Sequence, residues 1–408
     1  MSFSELNLSS ALVAALPKTL KTATQIQRLA IPPALEKKDV LALAQTGSGK
    51  TLAFGLPLVD QTKQDASTIQ SLVLVPTREL AHQVYTAINE VAQPIGVRLA
   101  VLVGGVDKDV QLEQLKKRPQ IVVATTGRLL DLINQQAIDI RHIEQLVLDE
   151  ADRLLEMGFW PDVQKLIQLL PANKQTLLFS ATLPDTLNQS VNQILFNPTR
   201  LEANATNSVV DSVNETLYLV NKGSKAQALI ALIKDNSWKQ VLVFIGAKDN
   251  ADALTKKISK AGITVAALHG NKSQEEREQT LQSFKDHKVQ VLVATDLLAR
   301  GIHVDSLPVV INFELPSSAP VYVHRVGRTA RAGQTGLAIS LVCHSESDAL
   351  SAIRELTQRE LTLENLADFP VTDKPTSGER KRPARDKQAN RRSAKKKSIK
   401  QFKGKNSR

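Results

Sequence analysis

Cysteine is all but absent from this chain: Cys343 stands alone among 408 residues. One thiol forms neither an internal disulfide nor a thiolate zinc site, so neither holds the fold together. The count fits a reducing compartment. No apolar run approaches the roughly 18 uninterrupted residues of an ordinary membrane span. No basic residue precedes Lys18, and the apolar stretch at 11–16 is short, so no secretory leader is expected. These absences predict a soluble, cytoplasmic protein with no membrane partner. Aromatics are scarce too, with 2 Trp, 3 Tyr and 10 Phe. That leaves little for flat stacking platforms.

What the chain has is length and apolar content. Hydrophobic residues make up 42% and charged residues 23%, enough to build sizeable cores in two to three domains. The net charge is +11, and its location matters more than its size. Residues 371–408 hold 15 Lys+Arg against 3 Asp+Glu, so the body before them is close to neutral. Arg380, Lys381, Arg382, Arg391, Arg392 and Lys395 to Lys397 lie among Pro, Ser, Gly and Asn, with Phe402 the sole aromatic. Such a segment cannot bury enough apolar surface to order itself. A disordered basic tail that attracts phosphate backbones without reading sequence is expected, a purely solubilising tail being the alternative.

Short β-branched apolar runs recur along the body, each followed by turn residues and a helix-like stretch. They fall at 40–44, 72–75, 99–103, 121–124, 146–148 and 176–179, then at 216–220, 241–245, 264–268, 289–294, 309–313 and 338–342. Continuous rather than alternating runs predict strands covered on both faces, hence an α/β class with parallel sheets. Val123-Ala124-Thr125 and Val293-Ala294-Thr295 follow similar runs in the two halves, which suggests one architecture used twice. Between the halves the chain is polar, small and aperiodic. The predicted organisation is a first domain over 1–203, a flexible linker at 204–212, a second domain over 213–370 and the tail at 371–408.

Ala44-Gln45-Thr46-Gly47-Ser48-Gly49-Lys50-Thr51 follows the first run and leads into a helix. Glycines there let backbone N–H groups turn around phosphates at a helix N-terminus. Lys50 suits the β/γ-phosphates and the Thr51 hydroxyl suits Mg2+, although Ala44 stands where the general pattern has Gly. A further run ends in Asp149-Glu150-Ala151-Asp152, where α/β sheets place catalytic groups. Asp149 is expected to hold Mg2+ and Glu150 to orient or deprotonate water. A solvated acidic helix cap is the alternative. In the second half, His324-Arg325-Val326-Gly327-Arg328-Thr329-Ala330-Arg331 places Arg328 and Arg331 three apart, on one face if the segment is helical. Two guanidiniums there can clamp a transferring phosphoryl group. No second phosphate-loop pattern occurs, and the early run 241–245 leads only into Gly246-Ala247-Lys248.

With these motifs assembled, residues 3 to 345 resemble the DEAD-box family of ATP-dependent RNA helicases, superfamily 2. Further matches, in the family's order, are Pro76 to Ala81, Gly104-Gly105, Thr125 to Arg128, Ser180-Ala181-Thr182, His269-Gly270 and Thr295 to Gly301. The resemblance implies two tandem RecA-like domains closing on ATP and RNA. It implies that Gln27 reads the adenine edge, whose donor and acceptor an amide can match. It implies RNA-backbone contacts at Thr77, Arg78, Gly105, Thr125, Arg128, Gly270 and Thr295, and coupling of hydrolysis to unwinding through Ser180 and Thr182. Hydroxyls, amides and guanidiniums suit phosphates and 2′-hydroxyls, so little sequence preference is expected.

The sequence departs from the family in three places. Thr19-Leu20 stand where Gly and an aromatic are usual near the adenine, with Phe3 either compensating or simply buried. Thr126 replaces a proline. His303 replaces an aspartate that reaches the ATP ribose. The expected activity is RNA-stimulated ATP hydrolysis with local opening of short duplexes or remodelling of RNA–protein complexes, by a monomer with ribosomal or RNA-turnover protein partners. An ATP-gated RNA clamp and a DNA translocase are the rival readings.

Overall fold

The computed structural model describes residues 2–44, 47–203, 213–296, 307–329 and 336–374. The expected linker, and all of the tail beyond 374, lie outside the described residues. Among those described, fourteen strands form two seven-stranded parallel sheets. The first contains Val40–Ala44 (β1), Ser71–Val75 (β2), Leu99–Leu102 (β3), Ile121–Thr125 (β4), Gln145–Leu148 (β5), Gln175–Ser180 (β6) and Thr199–Ala203 (β7). Their order across the sheet is β3-β4-β2-β5-β6-β1-β7. The second contains Val213–Leu219 (β8), Val241–Ile245 (β9), Val265–Leu268 (β10), Val291–Thr295 (β11), Val309–Asn312 (β12), Gly336–Val342 (β13) and Leu363–Asn365 (β14). Here the order is β10-β11-β9-β12-β13-β8-β14, the same topology strand for strand.

Helices cover both faces of each sheet, which is why the strand runs are apolar throughout. In β1, Val40, Ala42 and Ala44 join one core and Leu41 and Leu43 the other. In β9, Val241, Val243 and Ile245 divide from Leu242 and Phe244 in the same way. The local match between the halves also has its reason: Val123-Ala124-Thr125 ends β4 and Val293-Ala294-Thr295 ends β11, equivalent strands in the two sheets.

Three features differ from the sequence reading. The strands β7 and β14 were not expected; β7 alternates in burial where the run criterion asks for continuity, and β14 is exposed throughout. The counterpart of β1 in the second sheet is β8, not the run 241–245, which matches β2. The arginine segment does not stay helical: the helix Ala319–Val326 stops at Gly327, and Thr329 bridges to Leu307, so no shared helical face reaches Arg328.

Candidate active site

Sheet topology brings the ends of β1, β5 and β6 together, since β6 lies between β1 and β5. After β1, Gly47 (φ 83°) and Gly49 (φ 94°) take left-handed backbone that other residues rarely adopt. Lys50 and Thr51 then open the helix Lys50–Gln61. Ser48 lies between the two glycines; Gln45 and Thr46 are outside the described residues. Lys50 is buried and its Nζ donates to the Ala44 carbonyl at 2.9 Å. Gln27 is buried rather than on a helix surface. Its Oε1 accepts from Thr24 N at 2.9 Å and its Nε2 donates to the Gly49 carbonyl at 3.1 Å. A Cβ at Gly49 would stand 2.6 Å from that Nε2, so the glycine permits the contact. Phe3 is a buried core residue.

After β5 come Asp149 and Glu150, both buried. Asp149 N donates to the Leu74 carbonyl at 3.0 Å, continuing the ladder, and its Oδ1 accepts from Glu150 N at 2.9 Å. Glu150 adopts φ 52° and caps the helix Ala151–Glu156, so the tetrad is a strand-to-helix corner and not an exposed cap. Its carboxylate pairs with the buried guanidinium of Arg153. Burial pushes the Asp149 carboxyl up to about 7, with Glu150 adding to the rise while Lys50 and Arg153 oppose it.

Asp152 is bonded to the Ser180–Thr182 segment. Its Oδ2 accepts from Thr182 N at 3.0 Å and Thr182 Oγ1 at 2.9 Å, while Ser180 Oγ accepts from Asp152 N at 3.2 Å. The same oxygen lies 3.3 Å from Nε2 of His324, carried by the second sheet.

Of the residues matched to RNA, Thr77, Arg78, Gly105, Arg128 and Gly270 are drawn together. Thr77 caps the helix Arg78–Ala92 through Leu80 N at 3.2 Å. Arg78 packs on Gly105 so closely that a Cβ there would lie 1.9 Å from its Nη1. Arg128 Nη2 donates to the Val106 carbonyl at 2.9 Å. Thr125 precedes the helix Thr126–Asn134, which forms without the family's proline. From the second half, Arg277 reaches the Gly270 carbonyl at 3.1 Å and Glu79 at 3.5 Å. Burial, then the charges of Arg277 and Arg128, lower the Arg78 pKa against the pull of Glu79. Three guanidiniums from two sheets therefore share one field. Thr295 ends β11, buried.

In the arginine motif Arg325 is committed within its own sheet: it forks onto Asp296 at 2.6 and 2.8 Å and lies 5.0 Å over the Phe244 ring. Arg328 is buried in the turn after the helix. Arg331 and His303 lie outside the described residues. Sequence reasoning gave no role to Arg153, Glu79, Arg277 or Asp296. Arg153 follows Glu150 by three on a helix, a spacing that could have revealed it; the Glu79–Arg277 pair crosses the halves and left no such signal.

A parallel sheet with a glycine-rich loop after β1 and paired carboxylates after β5, followed by a second sheet of identical topology, defines a tandem RecA-like ATPase core. Residues 24–190 match the model for DEAD/DEAH box helicases and residues 224–333 that for the helicase conserved C-terminal domain. The DEAD-box ATP-dependent RNA helicase CshA of Bacillus licheniformis is 38% identical over 362 residues, 88% of this chain and 74% of that protein. CshA of Bacillus subtilis is 37% identical over 362 residues, 88% of this chain and 73% of its own. S. cerevisiae Dbp5 bound to RNA and ADP BeF3 superposes with a TM-score of 0.82 at 30% identity, covering 90% of this chain and 96% of that one. Mss116 bound to ssRNA and UDP-BeF gives 0.81 at 28%, covering 91% and 80%. The chain belongs to the DEAD-box helicase family. Among the described residues no helix is long and apolar enough to cross a membrane.

Proposed function

We propose that this ATP-dependent RNA helicase hydrolyses ATP in the corner between the phosphate loop and the tetrad, and uses closure of its halves to open short RNA duplexes locally. The observation that carries the reading is the buried carboxylate pair Asp149–Glu150 in the field of Lys50. In this reading the loop 44–51 cradles the phosphates, Lys50 neutralises them, and Gln27 recognises adenine. Glu150, its carboxylate held by Arg153, orients and deprotonates the attacking water, and Arg328 with Arg331 stabilises the charge of the transferring group.

Mg2+ suits this donor set. Among the described residues no cluster of three or more His, Cys, Asp or Glu could cage a metal. Mg2+ does not need one, because it is commonly held by one or two carboxylates plus substrate phosphates. Thr51 and Asp149 are its protein ligands in this reading, and a cation beside Asp149 relieves the cost of burying its charge. When bound, the ion supplies neutralising charge on the phosphates.

Thr77, Arg78, Gly105, Thr125, Arg128, Gly270 and Thr295 grip the RNA backbone. Arg128 Nη1, buried without a hydrogen-bond partner among the described residues, is a donor available to a phosphate oxygen. Ser180 and Thr182 transmit the state of the tetrad to His324 through Asp152. The protein acts as a cytoplasmic monomer on RNA with little sequence preference, and partners in ribosome assembly or RNA turnover select its targets. The test is a pair of variants. Lys50→Ala is expected to lose ATP binding; Glu150→Gln is expected to bind ATP and RNA but hydrolyse about 100-fold more slowly or worse. Near-normal turnover by Glu150→Gln, or equal stimulation of the wild type by DNA and RNA, refutes the reading.

A further inference from the structure

The second sheet repeats the first beyond its strand ends. Lys50 stands six residues after β1 and opens the next helix. Lys225 stands six residues after β8 and opens the helix Lys225–Asn236. Both lysines are buried. Phe313 N donates to the Phe244 carbonyl at 3.0 Å, as Asp149 N does to Leu74, so Phe313 is the counterpart of Asp149. Lys225 Nζ donates to the Phe313 carbonyl at 3.0 Å. Lys225 thus opens, in the second half, the helix that the phosphate-loop lysine opens in the first.

An apolar ring at 313 supplies no counter-charge. The anion comes instead from Glu346, in the short 3-10 turn His344–Glu346 after β13. Its Oε2 accepts from Lys225 Nζ at 2.5 Å, Cys343 N at 2.9 Å and Cys343 Sγ at 3.2 Å; its Oε1 accepts from Leu315 N at 3.0 Å. An ammonium and two backbone amides converging on one anion is the kind of donor set that a phosphate loop offers a phosphate. Cys343 stands at the register position of Ala181, the residue before Thr182, whose N–H likewise binds a carboxylate, that of Asp152.

We propose that Glu346 is a resident anion filling the phosphate site of the second half, and that by filling it Glu346 positions the arginine motif. Leu315 N is tied to Glu346, and the adjacent Glu314 carbonyl accepts from Arg325 Nη1 at 2.6 Å, with Asn312 Oδ1 at 3.1 Å. The anion therefore fixes the end of β12, from which the helix bearing His324 and Arg325 is hung. A self-occupied site also explains why only one of two equivalent sheets is left for nucleotide. The site is a small-anion site, of the chemistry shared by carboxylate and phosphate.

The occupancy goes beyond the ATPase reading and is measurable without turnover. The full chain carrying Glu346→Ala is melted in chloride, formate and inorganic phosphate at equal ionic strength. Its Tm is expected to fall in chloride and to recover with formate or phosphate, because a ligand that binds only the folded state raises stability. Phosphate also meets the loop 44–51, so each variant is read against wild type in the same salt: the Glu346→Ala deficit is expected to shrink in formate and phosphate, and that of Lys225→Met/Glu346→Ala to stay constant. A Glu346→Ala Tm indifferent to the anion, or equal recovery in the double variant, overturns the site. Should Glu346→Ala not fold, Glu346→Gln serves: its loss is expected to shrink when Lys225→Met is added, since the buried cation leaves with its partner, and additive losses overturn the proposal. The positioning half rests on the proposed hydrolysis. Formate is expected to restore kcat of Glu346→Ala together with Tm, with the ATP KM within about twofold of wild type. Recovery of Tm without kcat removes the positioning role and leaves the anion site standing.

Discussion

His324 and Asp152 come from different sheets, yet both side chains are almost wholly excluded from water and meet at 3.3 Å. Burial alone raises a carboxyl pKa, but the His324 contact, with the charges of His324, Arg153 and Lys50, brings Asp152 below the ordinary carboxylate range. A depressed carboxylate contributes stability that is fully present above its unfolded pKa of about 4 and is lost as pH falls towards the folded value. Wild type is therefore expected to lose Tm more steeply than Asp152→Asn below about pH 4. Parallel acid limbs would show that Asp152 is not held by this contact. His324→Ala is expected to lower RNA-stimulated kcat about tenfold to a hundredfold, the effect of losing about 1.5–3 kcal/mol.

Gly105 leaves no room for a side chain. An added methyl meets the Arg78 guanidinium at 1.9 Å, and φ 75° is unfavourable for any L residue. Gly105→Ala should displace Arg78 and raise the RNA concentration for half-maximal ATPase by about tenfold or more, the size of a lost charged hydrogen bond. ATP binding without RNA should change little. Gly223→Ala, where an added methyl meets nothing within 4 Å, is the control. Titration of RNA against ATPase rate decides the matter.

Glu79 and Arg277 pair at 3.5 Å across the halves, each side chain largely buried. Arg277 also holds the Gly270 carbonyl, so its loss loosens two matched RNA motifs at once. Arg277→Ala is expected to impair unwinding more than ATP binding. A double-mutant cycle with Glu79→Ala should give a coupling of about 1 kcal/mol between the two positions in strand displacement. Additivity would assign the pair no role in closure.

The tail carries the basic excess, while every proposed hydrolytic residue precedes it. Deleting residues 371–408 is expected to weaken RNA binding and flatten its salt dependence by about 0.7 in log–log slope per lost phosphate contact. RNA-saturated turnover should hold. An unchanged slope would make the tail a bystander.

The strand runs were legible because a strand buried on both faces must be apolar at every position, and the motifs of the first half were legible because each is contiguous: one loop, one strand end. The strands β7 and β14 escaped because β7 alternates in burial and β14 is exposed throughout. The bridge of Thr329 to Leu307, which takes Arg328 off the helix, is a tertiary contact that no helical periodicity records.

By itself, then, the sequence determined two α/β halves, a glycine-rich loop of phosphate-binding pattern at residues 44–51, the carboxylates after β5 and the charge of the tail, all set by local pattern and composition. Only the tertiary structure decided which groups meet. It brought Asp152 to His324, Arg277 to Glu79 and Glu346 to Lys225, pairs separated by between 121 and 198 residues. Burial in a common interior makes such charges depend on one another, and that dependence is a property of the packed sheets rather than of any segment of chain.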